Sequence, residues 1–177
     1  MPSGKTHDLI TLFLAPPTLG AAWVLTGSWW LAAVLTAGML FGGLMFGPDL
    51  DIQSKQYTRW GVFRFLWLPY KVAFKHRSRW SHGIIFGTLI RVAYFAAVLA
   101  LLVWAGVYVR AVYVAGGEAP GWAELEHAWR VIEAGAAASG LGRGAVLAAL
   151  AGLWWGAASH TLTDVAWSIL RKGSEIF

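Results

Sequence analysis

Cysteine is absent from this chain of 177 residues. Its absence excludes disulfide bonds, thiolate zinc sites and cysteine nucleophiles together. Any metal ion that the protein binds must therefore be held by histidine and carboxylate side chains. The choice of ligands is narrow, because the chain contains five histidines and nine acidic residues.

Aspartate is especially scarce, and its positions follow a pattern. The four aspartates occur in the pairs His7-Asp8, Asp49-Asp51 and His160-Asp164. Asp49 and Asp51 end a stretch in which forty residues, 9–48, carry no charge. Each aspartate thus lies close in the sequence to a histidine or to another aspartate, which indicates that these carboxylates are not simply spread over a solvated surface.

Apolar residues dominate the rest of the chain. The composition is 58% hydrophobic with 12 tryptophans, which exceeds what a soluble domain of this size needs to bury. The first apolar run just crosses a hydrocarbon core of ~30 Å at ~1.5 Å per residue. Pro16-Pro17 should kink this run. An alternative interpretation as a cleaved signal peptide, Met1 to Ala22, is disfavoured by the length of the run and by the further spans.

The sequence predicts an all-α fold, with one membrane domain over residues 1–177 that forms a bundle of four transmembrane helices. The predicted spans are residues 9–26, 31–46, 84–109 and 144–167. Loop 48–83 and the C-terminal end are net basic, whereas loop 110–143 is net acidic. The positive-inside rule therefore places loop 48–83 and both termini in the cytoplasm and loop 110–143 outside, as in an integral inner-membrane protein.

Loop 48–83 interleaves aromatic and basic side chains. Its basic residues are Lys55, Arg59, Arg64, Lys71, Lys75, Arg77 and Arg79. This composition is typical of a segment that lies in the interfacial layer and is attracted to anionic lipid headgroups. A functional alternative is that some of these cations hold a phosphate-bearing substrate. Nucleic acid is disfavoured as a partner, because no recognition fold accompanies the aromatics.

Four separate segments bring histidine and aspartate to one membrane face in this topology. The residues are His7, Asp8, Asp49, Asp51, His76, His82, His160 and Asp164. On the fourth span, a stripe of small residues at intervals of four leads into His160 and Asp164, which predicts that this pair faces the bundle interior. The stripe consists of Ala148, Gly152 and Gly156, and Gly38 with Gly42 forms a similar stripe on the second span.

Two other polar residues are assigned no role at the site. His127 falls among charged residues on a predicted amphipathic helix, which indicates a solvated surface histidine. Arg91 lies nine positions after His82, on roughly the opposite helix face, so packing or snorkelling is preferred over a site role.

The ligand types favour a zinc site, with manganese or iron as substitutes. Because Pro48 restricts the residue before it, Asp49-Leu50-Asp51 is expected to begin in extended geometry with both carboxylates on one side. The candidates exceed the roughly four ligands of one zinc ion, which indicates two ions that share a carboxylate. Such a pair favours hydrolysis of a phosphoester, with Asp49 or Asp51 as the general base.

Individual residues also have simpler interpretations. Asp8 could complement a helix N-terminus, and His76 could be one more cation of the basic loop. Arg77 and Arg79 are interpreted as headgroup contacts, although an arginine beside a metal pair is a natural phosphate clamp.

The quoted motifs resemble the membrane-bound metal-dependent hydrolase family, and more closely its branch of metal-binding proteins, over the whole chain. They are Thr6-His7, Pro48-Asp49-Leu50-Asp51, His76-Arg77 through Ser81-His82, and Ser159-His160 with Asp164. That family is grouped distantly with the zinc-dependent phospholipase C and single-strand nuclease superfamily, whose helical sites bind zinc and cleave phosphoesters. The resemblance implies metal-site positions at His7, Asp49, Asp51, His76, His82, His160 and Asp164. One departure is the spacing after His76, where five residues precede His82 instead of four.

The sequence thus predicts a membrane-embedded metal-binding protein with one or two divalent ions, zinc by preference. The predicted activity is hydrolysis of phosphoester bonds in a lipid or membrane-associated substrate at the cytoplasmic face. The alternative is a non-enzymatic protein that stores, senses or passes a metal ion. A third hypothesis is a bundle stabilised by buried histidine–aspartate pairs without metal.

Overall fold

The computed structural model describes residues 2–76, 78–140 and 142–174, and within these ranges the regular structure is entirely helical. The α-helices are α1 (Gly4–Thr26), α2 (Trp29–Leu44), α3 (Lys55–Thr58), α4 (Leu68–Ala73), α5 (Arg79–His82), α6 (Phe86–Val109), α7 (Trp122–Ala138) and α8 (Arg143–Ser174). Two 3-10 helices span Pro48–Asp51 and Gly61–Trp67, and a π-helical turn spans Arg110–Val114. The predicted all-α class is therefore confirmed for the described residues.

Among the described residues, four helical segments are long and apolar enough to cross a membrane. They are Gly4–Thr26, Trp29–Asp51, Phe86–Val114 and Arg143–Arg171. These segments match the four predicted spans in number and order. Pro16 and Pro17 lie inside α1 and do not end it.

Local sequence explains how the first two helices are separated. Ser3 caps α1, because its hydroxyl oxygen accepts a hydrogen bond from the backbone N–H of Thr6. Gly27 ends α1 in the left-handed conformation at φ 62°, which glycine adopts without steric cost. Ser28 then caps α2 through the N–H of Leu31. The chain therefore reverses within two residues, and α1 and α2 pack against each other.

The chain divides into two compact units. The first comprises Met1–Arg91 with Gly144–Phe177, and it contains α1 to α5, the start of α6 and α8. The second comprises Val92–Arg143 and contains the rest of α6, the π-helical turn and α7. His127 is exposed on α7, as the sequence predicts. All seven predicted metal ligands belong to the first unit.

Glycines bring α2 and α8 into backbone contact. A Cβ atom on Gly42 would lie 2.3 Å from the carbonyl oxygen of Leu153, and one on Gly156 would lie 2.0 Å from that of Met39. These separations are far below van der Waals contact, so larger residues cannot occupy the positions without moving a helix. The predicted small-residue stripes are confirmed, since Gly38 and Gly152 make the same kind of contact.

The segment between α2 and α6 is more ordered than a surface loop. It contains the two 3-10 helices and α3 to α5, none of which the sequence analysis predicted. Trp67, Tyr70 and Leu50 are completely buried within it, which gives this segment an apolar core of its own. Other large apolar side chains of the segment, such as Val62, Phe63, Phe65 and Val72, remain exposed.

Candidate metal centre

The structure brings all seven predicted residues together within the first unit. They form two adjoining groups, the first Asp49, Asp51, His76 and His82, and the second His7, His160 and Asp164. Within each group, every residue offers one ligand atom that lies within 4.8 Å of the others. Four chain segments therefore converge: the start of α1, the 3-10 helix Pro48–Asp51, the stretch up to α5, and α8.

The aspartate pair adopts a 3-10 turn, so the expected extended geometry was wrong. Pro48 occupies the first turn of this helix, where its fixed φ and missing N–H are tolerated, and the N–H of Ile52 bonds to the carbonyl of Asp49. Both carboxylates nevertheless approach one imidazole. Asp49 Oδ1 lies 3.4 Å from His82 Nε2, and Asp51 Oδ2 lies 3.6 Å from His82 Nδ1.

Asp49 stands between the two groups. Its Oδ1 faces His82 of the first group, while its Oδ2 lies 3.5 Å from Nε2 of His160 in the second. One carboxylate thus presents an oxygen to each group. This is the arrangement that a carboxylate shared by two metal ions requires.

The second group is built on α8, where His160 and Asp164 lie one turn apart on the same face. His7 Nε2 lies 3.3 Å from Asp164 Oδ1, and His160 Nε2 lies 3.9 Å from Asp164 Oδ2. The rings of His7 and His160 stack with centroids 3.7 Å apart. Both imidazoles therefore direct a ring edge at the same carboxylate.

The separations between these ligand atoms fit a metal site better than direct hydrogen bonds. Hydrogen bonds from N–H to oxygen span ~2.7–3.2 Å, whereas tetrahedral ligands of zinc at ~2.0–2.2 Å lie ~3.3–3.6 Å from one another. His7–Asp164, His82–Asp49 and His160–Asp49 measure 3.3, 3.4 and 3.5 Å, inside the second interval. The His160–Asp164 separation of 3.9 Å lies just above it.

Several buried ligand atoms lack a hydrogen-bond partner. They are His82 Nε2, His160 Nε2, Asp51 Oδ2 and Asp164 Oδ1. An unsatisfied buried polar atom is costly, and a cation held between these side chains would satisfy them. The residues therefore fit a bound cation.

Ser81 helps to hold the ring of His82 in place. Its Oγ donates a hydrogen bond to the carbonyl of Lys75 and lies 3.1 Å from His82 Nδ1. The other ring nitrogen, Nε2, faces Oδ1 of Asp49. A neighbour that orients a ligating histidine in this way is common around metals.

His76 differs from the other histidines. Its Nδ1 donates a hydrogen bond of 2.8 Å to Oδ1 of Asp51, whose side chain is completely buried. One third of the His76 side chain is exposed, the largest fraction among the seven residues. The bond leaves Nε2 of His76 as the ring atom that can bind a metal. A histidine that donates to a carboxylate through one nitrogen and binds metal through the other is common around metals.

Gln56 is a central residue of the site that the sequence analysis missed. Its Oε1 accepts from the backbone N–H of Asp49 at 3.1 Å, and its Nε2 donates to the carbonyl of Gly43 at 2.7 Å. The same Nε2 lies 3.3 Å from His160 Nδ1. Gln56 is buried and thus ties the end of α2, the aspartate turn and α8 together. Gly47 makes room for it, since a Cβ there would lie 2.1 Å from Nε2.

Arg91 stabilises the backbone turn next to the site. It is almost completely buried, in agreement with the predicted packing role, and its guanidinium donates to the carbonyl of Ser81 at 2.5 Å and to Thr88 Oγ1 at 3.1 Å. The bond to Ser81 holds the turn that carries His82. Burial raises the pKa of the nearby Tyr70 hydroxyl, and the Arg91 charge opposes that shift in part.

Asp8 belongs to an ion pair and to neither group. Arg59 donates to both of its carboxylate oxygens, and Lys55 Nζ lies 3.4 Å from Oδ2. The interaction with Asp8 raises the pKa of the Arg59 guanidinium. Of the two arginines considered as clamps, Arg79 is exposed beside Trp80, and Arg77 lies outside the described residues.

Comparison with known proteins shows which family the sequence matches. A family model described as "Uncharacterized metal-binding protein (DUF2227)" matches residues 2–173. An "Uncharacterized protein" of Aquifex aeolicus (strain VF5) is 40% identical over 58 residues, which cover 32% of this chain and 40% of that protein. The chain thus aligns with less than half of that relative's length. No solved structure is significantly similar to the chain.

The family description supports metal binding and names no reaction. Hydrolase activity and the grouping with the phospholipase C and nuclease superfamily receive no support from these comparisons and stay predictions.

Proposed function

This chain belongs to the DUF2227 family of uncharacterized metal-binding proteins, and from that premise we propose that its seven converging residues hold two divalent metal ions. Asp49, Asp51, His76 and His82 would hold one ion. His7, His160 and Asp164 would hold the other. Zinc is the proposed metal, because imidazole and carboxylate ligands suit it and no thiolate is present.

The position of Asp49 is the observation that carries this proposal. Its two oxygens face different histidines, His82 and His160, at 3.4 and 3.5 Å. A single ion would engage only one of the two groups and would leave unsatisfied buried ligand atoms in the other. Two ions that share Asp49 would satisfy both groups.

The activity that we propose is hydrolysis of a phosphoester. When bound, a divalent pair supplies Lewis acidity that polarises a phosphoryl oxygen and acidifies a water molecule. Asp49 lines a pocket beside the second group, whereas the Asp51 side chain is completely buried. Asp49 is therefore the carboxylate that lies closest to a substrate in the pocket, but as the proposed shared ligand it has both oxygens directed at the two groups. The general base is consequently assigned to neither aspartate.

The proposed location of this site is the cytoplasmic face of a membrane. Four helical segments have the length and composition of membrane spans. The segment 48–83 contributes four of the seven site residues, and it carries seven basic residues and exposed aromatics such as Phe63 and Trp80. Such a surface suits contact with anionic headgroups and gives the site access to lipid or membrane-associated phosphoesters.

Metal analysis of purified protein tests the site. We expect about two ions per wild-type chain, and a loss of at least the second ion when His160 and Asp164 are both changed to Ala. The matched control is His127→Ala, which removes an exposed histidine of α7 and should leave the metal content unchanged. Full metal occupancy in the double variant would refute the site.

A hydrolysis assay then tests the reaction. Metal-loaded protein is expected to cleave a generic phosphodiester or a phospholipid, and the Asp49→Asn variant should not. If no hydrolysis occurs with zinc, manganese or iron, and the protein carries metal across the membrane of proteoliposomes, the hydrolase proposal is wrong. The protein would then be a metal-handling protein.

A further inference from the structure

A pocket opens beside the second metal group. It has a volume of about 380 Å³. Its lining residues come from the start of α1, from the aspartate turn, from α3 and from α8, and they include Lys5, His7, Asp49, Lys55 and His160. The pocket therefore leads from the surface to one wall of the proposed metal site.

The charge of this pocket is unusual for a site built on carboxylates. Lys5 and Lys55 both line it. Lys55 Nζ pairs with Asp8 Oδ2 at 3.4 Å, but Arg59 also donates to both oxygens of that carboxylate. Asp8 is thus shared by two cations and does not balance the charges of Lys55 and Lys5 fully. With two divalent ions on three carboxylates, the whole site would carry a net positive charge toward the pocket.

The start of α1 adds to this positive potential. Ser3 and Gly4 line the pocket, so the positive end of a 23-residue helix dipole points at it, and the first turn contains no acidic residue. The side chain of Lys55 crosses this helix end, because a Cβ on Gly4 would lie 3.2 Å from Lys55 Cδ. Two lysines at the positive end of a helix create a potential that favours a bound anion.

A buried ligand atom points to the same position. His160 also lines the pocket, and its side chain is 3% exposed with no hydrogen-bond partner at Nε2. Cations at the mouth and metal-ligand atoms at the base therefore share one cavity. An anion held by the lysines would lie beside the metal group.

We propose that this pocket is an anion subsite in which Lys55 and Lys5, with the N-terminus of α1, hold the phosphate group of the substrate beside the second metal group. The assignment rests on the proposed function and adds the substrate-binding residues to it. Lysine binds phosphate as a point charge and does not require a planar partner, which suits an entrance that admits different phosphoesters. The phosphate can belong to a lipid headgroup or to a soluble ester.

The test measures binding of inorganic phosphate to zinc-loaded protein in detergent micelles by calorimetry. In Lys55→Gln we expect the Kd for phosphate to rise about tenfold, because one charged hydrogen bond is lost. In Lys5→Gln we expect a smaller rise. The matched control is Lys71→Gln, because Lys71 lies over the Tyr57 ring and does not line the pocket. Metal content is determined for each variant and should equal that of the wild type.

Unchanged phosphate affinity in both pocket variants, with full metal content, would overturn the subsite and leave the proposed metal site intact. A wild-type protein without metal would overturn the proposed function and the subsite together. Competition distinguishes the two sources of phosphate. If nanodiscs with phosphatidic acid displace the bound phosphate but phosphatidylcholine nanodiscs do not, the natural ligand is a lipid headgroup. If only glycerol phosphate displaces it, the ligand is a soluble ester. Either result supports the subsite.

Discussion

Asp49 has the strongest expected effect of any single residue, because both groups depend on it. Changing Asp49 to Asn keeps the shape of the side chain but removes the charge and the second metal-binding oxygen. We expect the metal content to fall from about two ions per chain to less than one. Elemental analysis of purified protein measures this loss directly.

The matched control for this change is Asp8→Asn. Asp8 is an aspartate near the site that pairs with Arg59 and belongs to neither group. Its amide variant should keep both ions. Equal metal content in the two variants would show that Asp49 is not shared by two ions.

Gln56 is expected to act on metal affinity without binding metal itself. Gln56→Leu preserves the volume of the side chain but leaves the Asp49 N–H and the Gly43 carbonyl without their buried partner. Loss of such supporting contacts typically weakens metal binding by ~10–100-fold. Competition with a zinc chelator measures the affinity, and circular dichroism should report unchanged helicity.

Gln53→Leu provides the comparison for Gln56. Gln53 lies three residues away, is exposed, and contacts only Lys71 among the described polar partners at 3.5 Å. It should bind zinc like the wild type. If Gln56→Leu does so as well, the hydrogen bonds of Gln56 do not position the ligands.

The sequence predicts the metal ligands, but it does not predict the residues that hold those ligands in place. Histidine and aspartate are rare in this chain, so their clustering predicts the seven residues that the structure brings together. Gln56 and Arg91 follow no such pattern. A glutamine in a basic loop gives no signal of burial, and a hydrogen bond that closes over more than a hundred residues, as Gln56 to His160 does, depends on the tertiary fold.

Among the elements, the packing of α2 against α8 determines whether the two walls of the site meet. Gly156 lies one turn before His160, and α2 leads directly into the aspartate turn. A Cβ at position 156 would meet the Met39 carbonyl oxygen and the Gly43 nitrogen, so the helices would have to separate. Separation would increase the distance from Asp49 to His160.

The variant Gly156→Ala should therefore lose both stability and metal. Overpacking of this kind typically costs ~1–3 kcal/mol. We expect a lower thermal midpoint in detergent and reduced zinc content. Gly20→Ala is the control, since a Cβ there meets nothing within 4 Å and alanine favours a helix over glycine by ~0.5–1 kcal/mol. Wild-type stability of Gly156→Ala would refute the close contact.

Element prediction from the sequence succeeds for the long helices and fails for the short ones. The spans follow from apolar runs, and the glycine stripes predict which faces of α2 and α8 meet. Helices of four to seven residues between α2 and α6 have no comparable period, and their helical form depends on burial of Trp67 and Tyr70. The 3-10 turn at Asp49 is of this type.

At the scale of the whole molecule, charge asymmetry predicts the orientation in the membrane. Segment 48–83 contains seven basic and two acidic residues, whereas 110–143 is net acidic. The positive-inside rule predicts that the first segment, and with it the proposed metal site, lies in the cytoplasm.

The absence of cysteine makes the orientation directly testable. A single cysteine can be placed by Gln53→Cys or by Glu118→Cys, both at exposed positions of the two segments, and the parent chain gives no background labelling. A membrane-impermeant maleimide applied to intact cells should label position 118, and it should reach position 53 only after permeabilisation. Labelling of both positions from the same side would contradict the four-span topology, because one predicted span, 84–109, separates the two segments and must place them on opposite sides of the membrane.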